Sequence, residues 1–149
     1  VSLLVNLEAE GCPEHLKWSA NGQRIGFTVS GRFGGGHGYV VDVPSNQLNP
    51  LALDEVFSTC KWSPDGNWLS CANTRSTVVL NLTSGRRFDL STADSLGLPT
   101  YRMKPEWSSN GRWLAFSTSK GIYVFDSATH QTVRIADQEG GFAWSPPCE

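Results

Sequence analysis

The sequence has little charge, and neither sign is concentrated in one stretch. Only 17% of its 149 residues are charged and the net charge is −2, whereas globular proteins carry roughly 25% charged residues. The basic residues are scattered, and Arg86-Arg87 is the only adjacent pair. Proteins that bind nucleic acid usually present a basic patch or stripe. The sequence therefore predicts no nucleic-acid partner.

Long hydrophobic runs are also missing. No apolar stretch approaches the 18 residues of a membrane-spanning helix, so we predict no transmembrane segment. Residues 1–5 are apolar except for Ser2, but they lack the charged lead and the small-residue cleavage site of a signal peptide. The chain begins at Val1 rather than Met. We expect either that something upstream was removed or that this is a piece of a longer protein.

The motifs of common catalytic and metal sites are absent as well. The three histidines, His15, His37 and His130, lie in neither a Gly-x-Ser-x-Gly nor a His-Glu-x-x-His setting. The carboxylates Asp42, Asp65 and Asp126 are better explained as turn-forming residues than as acid–base groups. We therefore predict that the protein is not an enzyme, with no catalytic residue, no cofactor and no metal.

The sequence does contain a repeat rich in tryptophan, serine and glycine. Residues 18–27, 62–71 and 107–116 share the order Trp-Ser, two residues, Gly, a polar residue and an apolar run, and a fourth copy begins at Trp144. The starts are 44, 45 and 37 residues apart. A period of this length is typical of repeat architectures. Fifteen glycines and eight prolines, with β-branched and aromatic runs between them, indicate an all-β protein of short strands.

Each repeat predicts a four-stranded antiparallel meander. Asn or Asp followed by Gly forms the turn between the first and second strands, and alternation of apolar residues marks the strands. Such sheets stack radially in a β-propeller, where we expect Trp18, Trp62 and Trp107 to fill the space between blades. The predicted segments are an orphan strand in residues 1–10, blade 1 in 14–53, blade 2 in 56–90, blade 3 in 101–136 and the start of a further blade in 141–145.

The second repeat, Trp62-Ser63-Pro64-Asp65-Gly66, resembles the motif of TolB-like propellers and of the propeller domains of prolyl-oligopeptidase-type peptidases. The first and third repeats carry Asn in place of Asp and lack the Pro. The resemblance covers nearly the whole chain and implies the fold rather than an activity. The Trp-Asp dipeptide of WD repeats is absent, which makes that related family a poorer match.

Three blades are too few to close a propeller ring, which has four to eight. Open lateral blade faces with large apolar side chains are interaction sites. We therefore expect a protein partner: a second copy that closes the ring, a larger complex, or the remainder of a longer propeller. Residues 1–7 of one chain are expected to complete a blade begun by residues 142–144 of another.

Cys60 and Cys71 should lie on one face of neighbouring strands. Either they form a cross-strand disulfide, if their Cβ geometry permits it, or they are buried thiols that act as small hydrophobic residues. Neither has a further Cys or His at metal-ligand spacing. Cys12 and Cys148 lie near the presumed ends of the chain; they either bridge ends or subunits or, as we expect, remain unpaired thiols.

Two long loops form the predicted recognition surface. One is the glycine-rich segment 31–38, which lacks the following helix of a phosphate-binding loop. The other is the segment 91–100 between blades. The predicted binding residues in or beside them are Arg32, Phe33, His37 and Tyr101, because loops on a rigid scaffold carry binding residues.

Two functions remain open from the sequence. The first is a non-enzymatic binding or scaffold subunit, periplasmic or extracellular, that docks partner chains through blade faces and loops. The second is a fragment of a larger propeller-bearing enzyme, such as a peptidase, whose catalytic domain lies elsewhere.

Overall fold

The described residues of this computed structural model are 13–30, 36–51, 53, 59–91, 105–137 and 141–144. They contain no helix, and therefore none that could span a membrane. They form three four-stranded antiparallel sheets, each in sequential strand order, and no closed sheet. The structure is thus all-β and of the incomplete propeller type that the repeat predicts. We call the three sheets blades 1, 2 and 3.

The strand bounds are as follows. Blade 1 consists of β1 (Pro13–Trp18), β2 (Arg24–Ser30), β3 (Gly36–Asp42) and β4 (Gln47–Pro50). Blade 2 consists of β5 (Thr59–Trp62), β6 (Trp68–Ala72), β7 (Thr77–Asn81) and β8 (Arg87–Ser91). Blade 3 consists of β9 (Glu106–Trp107), β10 (Trp113–Thr118), β11 (Gly121–Asp126) and β12 (Gln131–Ala136).

The repeated turn is held by its serine. In blade 2 the Ser63 hydroxyl accepts the N–H of Trp68 at 2.9 Å and donates to the Asp65 carboxylate. Asp65 in turn accepts the N–H of Asn67 at 3.1 Å, and Gly66 has a φ of 72°. The same bonds recur in the other two blades. The serine and the Asn or Asp thus satisfy the backbone groups of the turn, while glycine supplies the positive φ.

The third strands end in an Asp or Asn that forms a turn, as predicted for Asp42 and Asp126. Asn81 and Asp126 each accept the backbone N–H two residues on, at 3.0 and 2.9 Å. Asp42 differs slightly, because it accepts the N–H of Ser45, three residues on, at 3.1 Å. All three side chains therefore start the turn to the fourth strand, which is the role expected of Asx turns.

The chain divides into two compact units between Val56 and Phe57. The first unit contains blade 1. Its core is Phe27, Val29 and Val41, with half-buried Tyr39 and Leu48 packed against them. Phe27 and Tyr39 stack with ring centroids 5.6 Å apart.

The second unit contains blades 2 and 3, which bury one face of each sheet against the other. Blade 2 contributes Trp68, Val79 and Leu90, with Phe88 at the margin. Blade 3 contributes five residues that we call its covering face: Trp107, Leu114, Phe116, Tyr123 and Phe125. The ring of Trp68 lies 6.1 Å from that of Phe125 and 6.5 Å from that of Trp107. This interface is the largest apolar core among the described residues.

The tryptophans of the repeat do not all fill spaces between blades. Trp107 is buried against blade 2, and its indole N–H donates to the Ser70 hydroxyl at 3.1 Å. Trp62 is half-buried, but Trp18 is 57% exposed, so the prediction for Trp18 is wrong. Because Trp107 packs on the blade that precedes its own, Trp18 would need a blade before blade 1, and the described residues contain none.

Two strand predictions also need correction. β3 begins at Gly36, within the segment 31–38 that was predicted as a loop, because Gly36, His37 and Gly38 continue the pairing with β2. Residues 142–144, expected as a first strand, have no strand assignment. A strand needs a neighbouring strand to bond, and no strand in the described part of the chain pairs with this segment. The predicted strand in residues 1–10 lies outside the described residues.

The interface between blades 2 and 3 should dominate the stability of the second unit. We predict that Phe125→Ala lowers its free energy of unfolding by about 3–5 kcal/mol, the usual cost of removing a fully buried phenylalanine. Ile135→Ala is the control, because Ile135 is 59% exposed and exposed substitutions stay within about 0.5 kcal/mol. Chemical denaturation monitored by tryptophan fluorescence measures both. Equal losses in the two variants would contradict this assignment of the core.

Candidate functional site

An apolar groove of about 470 Å³ lies on the face of blade 3 that points away from blade 2. Most of its wall comes from alternate residues of β10, β11 and β12, and Trp144 closes one side. Its lining includes Trp113, Val124, Asp126, Val133, Ile135 and Trp144. We call this set the groove face.

The strand register explains why these side chains meet. Val124 pairs directly with Val133 across β11 and β12, and Trp113 pairs with Asp126 across β10 and β11. Side chains two residues apart in a strand share a face, so Ile135 lies beside Val133. Val133 and Ile135 are each 59% exposed. Two neighbouring β-branched residues are therefore open to solvent on one blade face.

The same positions in blade 2 are buried under blade 3. A shift of 45 residues relates Trp68 to Trp113, Val79 to Val124, Phe88 to Val133 and Leu90 to Ile135. Trp68, Val79 and Leu90 are at most 7% exposed, and Phe88 packs against them. Four residues of the groove face therefore correspond to the residues of blade 2 on which blade 3 packs.

Trp144 lies on blade 3 as Trp107 lies on blade 2. The Trp144 indole N–H donates to the carbonyl of Glu106 at 2.9 Å. The Trp107 indole N–H approaches the carbonyl of Lys61 at 3.4 Å, and Lys61 and Glu106 each precede the first tryptophan of their own repeats. The tryptophan of the fourth repeat thus contacts blade 3 in the way that Trp107 contacts blade 2, although residues 142–144 do not form a strand. Trp144 is nonetheless 37% exposed, compared with 9% for Trp107.

One end of the groove carries an ion pair that is held in one geometry. The Arg112 guanidinium donates to both carboxylate oxygens of Asp126, at 3.2 and 3.0 Å, and lies 4.6 Å from the centre of the Trp113 ring. The hydrogen bond from Arg112 lowers the pKa of Asp126 from its ordinary value of 3.8 to about 2; burial opposes this, and the Ala128 N–H supports it. Asp126 is therefore ionised at neutral pH and held in one geometry.

The predicted recognition loops are only partly described. Arg32, Phe33 and Tyr101 lie outside the described residues. His37 is exposed and lies in β3, opposite Val29, rather than in a loop. The loop surface therefore stays a prediction. The sequence did predict open blade faces and a fourth repeat at Trp144, but Val133 and Ile135 were not among the predicted binding residues, although aligning the fourth strands of the repeats would have singled them out.

The cysteines of blade 2 are covalently linked. Cys60 and Cys71 occupy directly opposed positions on β5 and β6, with Cα atoms 4.1 Å apart, and their sulfur atoms are bonded. The sequence left two alternatives, a disulfide or two buried thiols, and the structure contains the disulfide. Cys12 and Cys148 lie outside the described residues.

The disulfide should contribute measurably to stability. Because it closes a loop between residues 11 apart, the chain-entropy model gives about 2–3 kcal/mol. We predict that Cys60→Ala/Cys71→Ala loses this amount in chemical denaturation and that reductant brings the wild type to a similar level. Cys12→Ser/Cys148→Ser is the matched control and should behave as the wild type. Non-reducing peptide mapping that finds Cys60 unlinked would contradict the pairing.

The Arg112–Asp126 pair predicts a specific acid sensitivity. Since the folded-state pKa of Asp126 is lowered, its stabilising contribution is full above about pH 4 and is lost as the pH falls from 3.8 towards about 2. Asp126→Asn should be less stable than the wild type at pH 7 and should show a smaller loss between pH 4 and 2. Thermal melting across this range measures both effects. Asp137→Asn is the control, because its side chain is 86% exposed; if it changes the profile as much, the assignment is wrong.

Comparison with known proteins supports the fold alone. No protein-family model and no curated protein matches the sequence. Among solved structures, the chain is similar to a putative TolB from Agrobacterium tumefaciens, with 20% identity and a TM-score of 0.58, over 86% of this chain and 49% of that one. It is also similar to the β-propeller domain of the Trilobed protease from Pyrococcus furiosus, with 13% identity and a TM-score of 0.62, over 85% and 42%.

A third similar structure is the dipeptidyl peptidase 4 of Porphyromonas gingivalis, with 14% identity and a TM-score of 0.61, over 100% of this chain and 28% of that one. The chain thus spans less than half the length of each of these proteins. The likeness to TolB and to peptidase propellers is the one implied by the Trp-Ser-Pro-Asp-Gly motif. Together with the three sheets, it shows that the chain has the fold of part of a TolB-like β-propeller.

Proposed function

We propose that this chain is a non-enzymatic propeller module that binds protein by blade stacking, with the groove face as its docking surface. The observation that carries the proposal is the correspondence between the groove face and the buried face of blade 2. Blade 3 covers Trp68, Val79 and Leu90, so this chain already contains one blade packed on a face of this kind.

The energetics of the groove favour an occupant. Full burial of a valine or isoleucine stabilises by about 1.5–3 kcal/mol relative to exposure. Because Val133 and Ile135 are each 59% exposed, covering both contributes about 2–3.5 kcal/mol by the same estimate. The fixed charges of Arg112 and Asp126 lie at one end of the groove and add polar contacts that orient a partner.

We also propose a periplasmic or extracellular location. Disulfides persist in oxidising compartments and are rare in the cytosol. The bonded pair Cys60 and Cys71 supports this location.

A second candidate is a part of a larger propeller-bearing protein, such as a peptidase. The observation in its favour is coverage, because the chain corresponds to 13% of the tricorn protease and 28% of the dipeptidyl peptidase. A further blade of the same polypeptide would then cover the groove face. An antibody against this chain distinguishes the two: a product near 16.3 kDa in the source cells supports the module, and a product several times larger supports the second candidate.

Photo-crosslinking tests the docking surface. A benzophenone side chain at position 133 would point into the groove, whereas one at position 132 lies on the opposite face of β12 and serves as the matched control. We expect adducts with polypeptide from position 133, at purified-protein concentrations or in extract of the source cells. These adducts should disappear in Ile135→Asp. Equal labelling from positions 132 and 133, or adducts that Ile135→Asp leaves unchanged, would overturn the proposal.

A further inference from the structure

We propose that Asn81 is the attachment site of an N-linked oligosaccharide. The inference goes beyond the docking function and does not use the groove face. It combines the sequence around Asn81, the geometry of the turn that follows β7, and the oxidising location proposed above.

The sequence contains the acceptor motif for this modification once. Asn81-Leu82-Thr83 matches Asn-x-Ser/Thr with a residue other than proline in the middle. No other asparagine of the 149 residues has Ser or Thr two positions on. The corresponding residues of blades 1 and 3 are Asp42 and Asp126, which have no amide nitrogen to carry a sugar. Among the three described blades, only blade 2 therefore ends its third strand in a residue with the required chemistry.

The side-chain oxygen of Asn81 is engaged by the turn. It accepts the backbone N–H of Thr83 at 3.0 Å and that of Ser84 at 2.9 Å. The backbone of Asn81 is bonded as well, because its N–H donates to the carbonyl of Arg86 and its carbonyl accepts the N–H of Gly85, both at 2.8 Å. These four bonds fix the amide group at the end of β7, with its oxygen towards the backbone of the turn.

The side-chain nitrogen of Asn81 is left available. Within the described part of the chain, Nδ2 makes no hydrogen bond, and it is not one of the buried polar atoms that lack a partner. It therefore reaches solvent, although the residue as a whole is half-buried. In blades 1 and 3 the carboxylate at this position pairs with Arg24 or Arg112. Blade 2 has Trp68 and Asn67 at the two arginine positions, so the cation that holds the side chain in the other blades is missing.

The turn has room for a bulky substituent. Residues 83–86 are all exposed, and a Cβ at Gly85 would meet no atom within 4 Å. Asn81 is the last residue of β7 and pairs with Trp68, so it lies at the margin of the face on which blade 3 packs. His130 of blade 3 contacts the Trp68 ring at 5.8 Å and is itself exposed. An oligosaccharide at this end of β7 would therefore extend into solvent beside the turn.

The chemistry of the transfer leaves the turn intact. A bond forms between the Asn81 Nδ2 and the anomeric carbon of the sugar, and the bond from that carbon to a lipid-linked diphosphate breaks. The diphosphate leaves with the bonding electron pair, and the amide nitrogen gives one of its protons to a base of the transferase. The donor is thus a lipid-linked oligosaccharyl diphosphate. Because Oδ1 takes no part, it still accepts both N–H groups of the turn after the transfer.

The disulfide supports a compartment in which this modification occurs. Glycosylation of Asn-x-Ser/Thr marks surface segments of secreted proteins, and disulfides persist in the same oxidising environments. Both features belong to blade 2, because Cys71 is bonded to Cys60 and pairs with Val78 on the strand that ends at Asn81. The inference therefore rests on the proposed location and is independent of the proposed docking.

Peptide mapping of the protein from its source cells tests the inference. We expect the peptide that contains Asn81 to carry an oligosaccharide, and a peptide N-glycanase acting in water enriched in heavy oxygen should convert Asn81 to labelled Asp. An unmodified Asn81 in this protein would overturn the inference. Linked Cys60 and Cys71 in the same sample would then leave the proposed location standing, whereas reduced cysteines would overturn both. The docking proposal is tested separately, from position 133.

Variants secreted from a eukaryotic cell separate the motif from the fold. We expect the wild type and Thr83→Ser to carry an N-glycanase-sensitive oligosaccharide and Thr83→Ala to lose it. Thr83→Ala keeps the backbone N–H that bonds Asn81, so its turn should be intact. Asn81→Asp is the matched control, because Asp forms this turn in the other two blades; it should lose the oligosaccharide and keep the circular dichroism spectrum of the wild type. A wild type secreted without the oligosaccharide, or a Thr83→Ala variant that retains it on Asn81, would contradict the assignment.

Discussion

The need of a four-stranded sheet to cover its apolar faces determines most of this structure. A sheet with apolar faces must bury them against another layer of the structure. Blades 2 and 3 meet this need by burying Trp68 beneath Phe125 and Trp107. The indole N–H of Trp107 is satisfied by Ser70 at 3.1 Å, so the interface buries a polar group without leaving it unpaired. On the other side of blade 3 this need is not met, because Val133 and Ile135 of the groove face remain exposed.

The repeated turn makes this stacking possible because it fixes where the tryptophan points. Ser63 and Ser108 are buried and bond the first residue of the second strand in their own blades. Each turn therefore sets the register of the first hairpin, and with it the face on which the tryptophan lies. Neighbouring turns also approach each other, because a Cβ at Gly111 would lie 3.5 Å from the Asp65 carboxylate. The motif is thus a structural device, which explains why it predicts fold and not activity.

The sequence predicted the fold well because the signals were local and repeated. Alternating apolar residues located the strands, and Asp or Asn followed by Gly located the turns. The sequence did not predict which side chains are exposed, because this depends on which blade faces are covered by a neighbouring blade. Nothing in the local sequence distinguishes Trp18 from Trp107, yet one is exposed and the other buried, because only Trp107 has a described blade to pack against. For the same reason, the sequence of β12 does not indicate that Val133 and Ile135 are exposed rather than buried.

The three blades differ at one pair of facing positions on their second and third strands. Blades 1 and 3 present a stacked phenylalanine–tyrosine pair, and in blade 3 that pair covers the neighbouring blade. Blade 2 has Cys71 at the phenylalanine position and links it to Cys60 on the adjacent strand. A disulfide ties two strands of one sheet but offers less apolar area to a second sheet than two aromatic rings do. Blade 2 is covered by blade 3 through its Trp68 face, and its opposite face is buried as well, since Leu69, Cys71 and Val78 are at most 3% exposed.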